Sequence, residues 1–180
     1  MECKKSNTGF SLIEMIVTIA IMAVVLGGAI SIYSLINSSR LNSMAENIDD
    51  AISDTRSRTL AKSGEYQLKI YANGGDIKAV VQKKNGAVWD DIETTILGKN
   101  NVKVTFKDDH SNNVEIKDGT LGWYLIVSFN KSDGTFNKIQ TAPNGSGTLR
   151  DIGANEVYVT YANKTKTIMM LKETGKHYIK

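Results

Sequence analysis

The sequence predicts an α+β fold, a long N-terminal α-helix followed by an antiparallel β domain. Three observations lead there. The run from Phe10 to Ile36 holds 20 apolar residues in 27, against 41% across the 180-residue chain. Beyond it, Leu41, Met44, Ala45, Ile48, Ala51, Ile52 and Thr55 recur at the spacing of one helix face. After Gly64, short alternating stretches are separated by Asn, Asp and Gly clusters, the punctuation of strands and turns. This uneven distribution excludes a plain cytosolic domain, a multi-span membrane protein and a disordered tail. A net charge of +3, from 22 basic and 19 acidic residues, does not by itself indicate a nucleic-acid protein. The single cysteine, Cys3, excludes an intrachain disulfide or a multi-cysteine metal site.

The helix comes first. Apart from Glu14, no charge interrupts the chain between Phe10 and Arg40. The 22 residues from Met15 to Ile36 would span about 33 Å as helix, enough for a hydrocarbon core of about 30 Å. Lys4 and Lys5 precede the run and would stay on the cytoplasmic side, placing the rest of the chain outside. A secretory signal is the alternative, but Ser31-Ile32-Tyr33-Ser34-Leu35 offers no convincing small-x-small cleavage site. The apolar spacing then carries the helix on to about Lys62, ending before Gly64. Its first half is apolar all round and its second half amphipathic. Glu14 is not explained by a simple anchor. A carboxylate at the centre of a membrane helix costs about 2.5–3.5 kcal/mol on insertion scales, so it needs a partner or a place near the interface.

The segment Lys4-Lys5-Ser6-Asn7-Thr8-Gly9-Phe10-Ser11-Leu12-Ile13-Glu14 resembles the leader-peptidase recognition site of type IV prepilins and pseudopilins. In that family a short basic leader ends in Gly and is followed by Phe. A Glu then lies five residues into the mature chain and opens an unbroken apolar helix. The resemblance implies cleavage by prepilin peptidase between Gly9 and Phe10 and N-methylation of Phe10. It also implies assembly with other pilins or pseudopilins through the helix, at an inner-membrane assembly platform. Before assembly the helix would sit in membrane lipid. Afterwards it would pack with its neighbours at the surface or in the envelope, and Glu14 would pair with the new α-amine of a neighbouring subunit. The implied organisation is leader 1–9, membrane and filament-core helix 10–36, amphipathic helix 37–62 and β domain 63–180. This chain lacks the helix-kinking Pro of many pilins, so Gly27-Gly28 is the expected weak point, at about 1 kcal/mol per Gly relative to Ala. Cys3 would leave with the leader, so the mature chain would have no disulfide.

The β domain reads in order. Tyr66–Tyr71 alternates, Asn73-Gly74-Gly75-Asp76 turns it, and Ile77–Lys83 returns to Asn85-Gly86. Ala87 to Leu97 carries a competing helical spacing. Val102–Phe106 alternates again. Leu121–Phe129, the most apolar stretch, should be central, turning at Asn130–Gly134 into Thr135–Gln140. Glu156–Tyr161 and Thr165–Leu171 form a hairpin through Asn163-Lys164, with a short strand at His177–Ile179. Two pieces, Val127 to Thr135 and Lys166 to Lys176, resemble the GspH/FimT-like branch of minor pilins and imply a pilin-like, two-sheet domain.

Enzymatic sites are not expected. Asp108-Asp109-His110 lacks metal-ligand spacing and reads as a charged turn. Asp133-Gly134 lacks the regular spacing of a calcium loop. Asn144-Gly145-Ser146-Gly147 lacks the Lys and helix start of a phosphate loop. Neither His110 nor His177 has an evident Ser partner, and no cofactor is predicted. One binding feature remains. Lys164, Lys166, Lys172, Lys176 and Lys180 stand against Glu173 alone, with His177 and Tyr178 between them. They read as a lysine-protected edge strand, or as DNA contacts, since lysines neutralise phosphates without regard to sequence. The expected function is a structural minor pilin or pseudopilin. The alternatives are a DNA-binding minor pilin of a competence pilus, or a pseudopilin of type II secretion.

Overall fold

The computed structural model describes residues 10–108, 110–145 and 148–180. The leader with Cys3, Lys4, Lys5 and Gly9, the turn residue Asp109, and Ser146 and Gly147 lie outside them. The chain divides into two compact units, Met1–Asn37 and Ser38–Lys180.

A single helix, α1 (Leu12–Ala61), accounts for all the helical residues described. It runs through Gly27-Gly28 without a break. Ten strands follow: β1 (Tyr66–Asn73), β2 (Asp76–Asn85), β3 (Val88–Lys99), β4 (Lys103–Asp108), β5 (Asn113–Ile116), β6 (Trp123–Phe129), β7 (Phe136–Pro143), β8 (Arg150–Tyr161), β9 (Lys164–Leu171) and β10 (Lys176–Ile179). Every pairing is antiparallel. The architecture is therefore α+β and pilin-like, one long helix followed by an antiparallel β domain.

The strand order β10-β9-β8-β7-β6-β1-β2-β3, with β5 and β4 branching from β8, bends into two sheets. β8 belongs to both. Its start pairs with β7 at Arg150 and Asp151, and the rest pairs with β4 at Ile152 and from Val157 to Thr160 and with β9 from Glu156 to Tyr161. The apolar β6 sits mid-order, as its composition requires.

The amphipathic stripe explains the packing. Leu41, Met44, Ala45, Ile48 and Ile52 are buried with Leu68, Ile70, Leu125 and Val127 of one sheet and Val104, Phe106, Val157, Val159, Ile168 and Met170 of the other. Thr55 and Thr59 extend the stripe without orphaning their hydroxyls, which donate to the carbonyls of Ala51 and Thr55 at 2.8 and 2.9 Å. At Gly98 an added Cβ would lie 2.6 Å from Met44 Sδ, so the β3 backbone passes close over the helix.

Three sequence expectations change. Ala87 to Leu97 forms most of β3 rather than a helix, because β2 offers ladder partners along it from Asp76 to Asn85. Two bulges in that pairing, at Ile77/Lys78 and Val81/Gln82, blur the period-two pattern that would have marked it. The last hairpin turns at Ala162-Asn163, not Asn163-Lys164. Both residues have positive φ (45° and 67°), and Lys164 already pairs with Tyr161. β5, whose apolar positions are only Val114 and Ile116, was not foreseen.

Gly175 (φ +66°) offers the sharpest test of packing. A Cβ there would collide with the carbonyl of Gly134, whereas Gly74 (φ +64°) faces open space. Both changes to Ala strain the backbone by about 1 kcal/mol or more. Gly175→Ala should cost about 2 kcal/mol beyond Gly74→Ala, because the collision adds an overpacking penalty. Urea unfolding of the two variants checks this.

Candidate functional site

The helix start is built by its own sequence. Ser11 precedes α1, and its backbone amide donates to Glu14 Oε2 at 2.9 Å, while the Glu14 amide donates to Ser11 Oγ at 3.3 Å. This is a capping box, in which residues three apart satisfy each other's orphan amides. The negative charge also sits at the positive end of the helix dipole. The Ser-x-x-Glu spacing of this box is legible in the sequence. Phe10 lies just outside the helix, 81% exposed. The apolar residues that follow are exposed too, and the 18-residue window of highest hydropathy, mean 2.5, has none of its residues buried. Within this unit the helix is a bare apolar rod with one self-capped carboxylate.

In the second unit the C-terminal lysines do not form one cluster. Strand alternation divides them. Lys164 and Lys166 share the parity of buried Ile168 and Met170, and Lys164 Nζ donates to Ser38 Oγ on the helix at 2.7 Å. Lys172 occupies the β9–β10 turn, where its carbonyl accepts from the Phe136 amide at 3.3 Å. Lys176 and Lys180 point the other way, flanking Tyr178 on the outer face of the sheet. There the register adds Lys103 and Lys107 of β4, two lysines missed because nothing in the sequence says that β4 and β10 share a sheet. Glu115 and Glu156 lie on the same face. The Tyr158 hydroxyl donates to the Glu156 carboxylate, and this hydrogen bond and burial hold the phenol above its ordinary pKa.

The expectation that His177 has no Ser partner is wrong. Ser53 of α1 lies 124 positions away in sequence, yet its Oγ is 2.8 Å from His177 Nε2. Asp49 Oδ1 stands 3.7 Å from the same nitrogen. Both groups face one ring nitrogen. A hydrolytic triad instead needs the nucleophile on one nitrogen and the carboxylate on the other. The group is a polar clasp of β10 onto the helix.

One turn further, Arg56 Nε donates to the Gly134 carbonyl at 2.8 Å, and Gly134 packs against Gly175. The rings of Phe129 and Phe136 stack beside them, centroids 4.7 Å apart, with Phe136 edge-on to His177. The two segments that carry the branch resemblance therefore meet in space, both held by one helix turn.

The two acidic turns are occupied by their own backbones. Asp108 accepts from the amides of His110 and Asn112 at 3.0 and 2.8 Å and from Asn112 Nδ2. Asp133 accepts from the Thr135 amide and hydroxyl. Among the described residues no group of three or more His, Cys, Asp or Glu side chains is placed to hold a metal.

Residues 4–30 match the prokaryotic N-terminal methylation motif, consistent with a type IV prepilin-like class III signal peptide. No curated protein and no solved structure matches the chain.

Burial pushes the Asp108 carboxyl up, but the hydrogen bonds from Asn112 and His110 outweigh it and hold the group below its ordinary value. A depressed folded pKa adds stability that is present above the unfolded value, about 3.9, and lost as pH falls through the folded one. Asp108→Ala should lower stability at pH 7 by about 1–3 kcal/mol. It should also flatten the acid limb of the stability curve below about pH 4. Urea unfolding at a series of pH values reads both.

Proposed function

We infer that the chain is a type IV pilin-like or pseudopilin subunit, as the methylation motif supports, with processing by prepilin peptidase, assembly with other pilins and anchoring in a membrane. We propose that this chain is a non-enzymatic minor pilin or pseudopilin, cut between Gly9 and Phe10 and N-methylated on Phe10. The observation that carries this reading is the coincidence of motif and helix. The predicted cut falls at the foot of an apolar rod that no described residue of its own unit covers. Leader 1–9 is removed. The helix over 10–36 stands in lipid with its N-terminus inside and the β domain outside, then packs against neighbouring helices. Residues 37–62 form the spine on which the β domain, 63–180, folds. The inner-membrane assembly platform extracts the subunit into a filament.

In lipid, the capping box gives the Glu14 carboxylate one internal donor, the Ser11 amide, and eases the burial of its charge. In the filament the neighbour's α-amine offers a full opposite charge in a dry bundle, a stronger partner than one amide dipole. Glu14 therefore passes from a capping role to a docking role.

A second reading, a DNA-binding minor pilin of a competence pilus, is favoured by one observation. Lys103, Lys107, Lys176 and Lys180 share the outer face of the second sheet with exposed Tyr178. A type II secretion pseudopilin would use the same helix and need no such face.

Mass analysis of filament-associated protein should find methylated Phe10 at the N-terminus; an intact Met1 terminus would refute processing. Glu14→Ala should leave processing largely intact and impair assembly. Glu14→Gln separates the two roles. Gln still completes a capping box but carries no charge, so assembly at wild-type level would show that capping alone is needed. For the DNA reading, the full chain in detergent should retard duplex DNA at low salt. Lys176→Ala with Lys180→Ala should weaken that binding, and Lys164→Ala with Lys166→Ala should not. No retardation at low salt would exclude it.

A further inference from the structure

The outer face of the first sheet carries a row of side chains that neither the helix nor the core uses. Register places Lys138 (β7), Ser128 (β6), Gln67 (β1), Gln82 (β2) and Asp91 (β3) next to one another across five strands. At about 4.8 Å between strands the row is about 19 Å wide.

Its hydrogen bonds have a direction. The Asp91 carboxylate can only accept, so Gln82 turns its NH2 to it, Nε2 to Oδ1 at 2.7 Å. That leaves the Gln82 carbonyl facing Gln67, whose Nε2 donates to it at 2.7 Å. The chain of amides therefore ends on Gln67 Oε1. Gln67 is only 7% exposed, and this oxygen accepts no hydrogen bond from any described residue. Ser128 beside it is 9% exposed, and its hydroxyl likewise has no partner among the described residues. The Gln67 carbonyl oxygen and the Ser128 hydroxyl therefore stand open to solvent side by side on two largely buried residues, the first held in orientation by the amide chain, and both are placed to bond a ligand.

Both residues line a groove of about 450 Å³, with apolar surface from Ile126 and the half-buried indole of Trp89. Asn137, Gln140, Lys131 and Lys138 add donors along it. Its charge is sparse and nearly balanced. Lys84 is paired with Glu65 at 2.8 Å. Lys131 and Lys138 have no ion pair among the described residues, while Asp91 and Asp151 lie at the two margins, each accepting from a Gln. Marginal carboxylates oppose a dense polyphosphate. An added peptide strand finds no free edge at β1, β2 or β6, which are paired on both sides. Convergent amides and hydroxyls on an apolar and aromatic wall, with isolated lysines, suit a chain of hydroxyl-rich rings bearing occasional carboxylates.

We propose that this groove binds a sparsely acidic polysaccharide. Gln67 Oε1 and Ser128 Oγ take sugar hydroxyls, Trp89 and Ile126 cover the apolar faces of the rings, and Lys131 and Lys138 meet the carboxylates. The groove lies wholly within the unit Ser38–Lys180, so binding is measurable on the unassembled chain and does not rest on filament assembly.

The test is affinity electrophoresis of the full chain in detergent, in native gels containing hyaluronate, whose acidic and neutral sugars alternate. The wild type should be retarded in proportion to polymer concentration. Trp89→Ala and Ser128→Ala together should weaken binding by about tenfold or more, a difference of about 1.4 kcal/mol. Lys138→Ala, at an exposed position, should weaken it several-fold and serves if the double variant does not fold. Lys176→Ala with Lys180→Ala should leave retardation unchanged. Migration unaffected by hyaluronate would overturn the proposal. So would retardation that the Lys176/Lys180 variant abolishes and Lys138→Ala leaves intact, since that would be charge attraction at the other face.

Discussion

The β domain depends on one stripe of α1. Leu41, Met44, Ala45, Ile48 and Ile52 supply apolar surface that is buried together with the inner-face residues of both sheets. Deleting any one of these side chains leaves a cavity between helix and strands, at about 2–5 kcal/mol for the larger ones. Bridges at the rim set the register of strands to helix. Asn47 Nδ2 donates to the Leu97 carbonyl at 2.7 Å, and Arg58 joins Asp54 on the helix to Glu93 on β3. Pairs this exposed add little energy by themselves, so their role is one of placement.

The second organising contact is the turn of α1 that holds Ser53 and Arg56. It gathers the β6–β7 turn and the β9–β10 turn through Gly134, Gly175 and His177. Both glycines have positive φ, and an added Cβ at either meets Arg56 at about 3.0 Å. The turn chemistry at each therefore has a tertiary reason as well as a local one. It also explains why a short C-terminal strand stays in place, since β10 is paired along one edge only and is fastened to the helix by its histidine.

With the inner faces committed to the helix, the outer faces are left for partners, and the two sheets present different chemistry. The second sheet shows four lysines among two carboxylates; the first shows an amide row with an open end, backed by Trp89.

The sequence alone determined the helix, the position of Glu14, the processing motif and most strands, because these rest on signals local in the chain: an apolar run, a three-and-four spacing, turn residues at fixed offsets. β3 escaped because its bulged pairing breaks the local period, and β5 because two apolar residues are too few to read. What only the tertiary structure decided was neighbourhood. That five C-terminal lysines divide between two faces follows from alternation along β9 and β10, and Lys103 and Lys107 join two of them only because β8 links β4 to β9 in one sheet. Ser53 meets His177, and Gln67 meets Ser128, across separations no spacing rule covers. Such contacts are set by strand order and register, which come from how both sheets share one apolar stripe rather than from any segment read by itself.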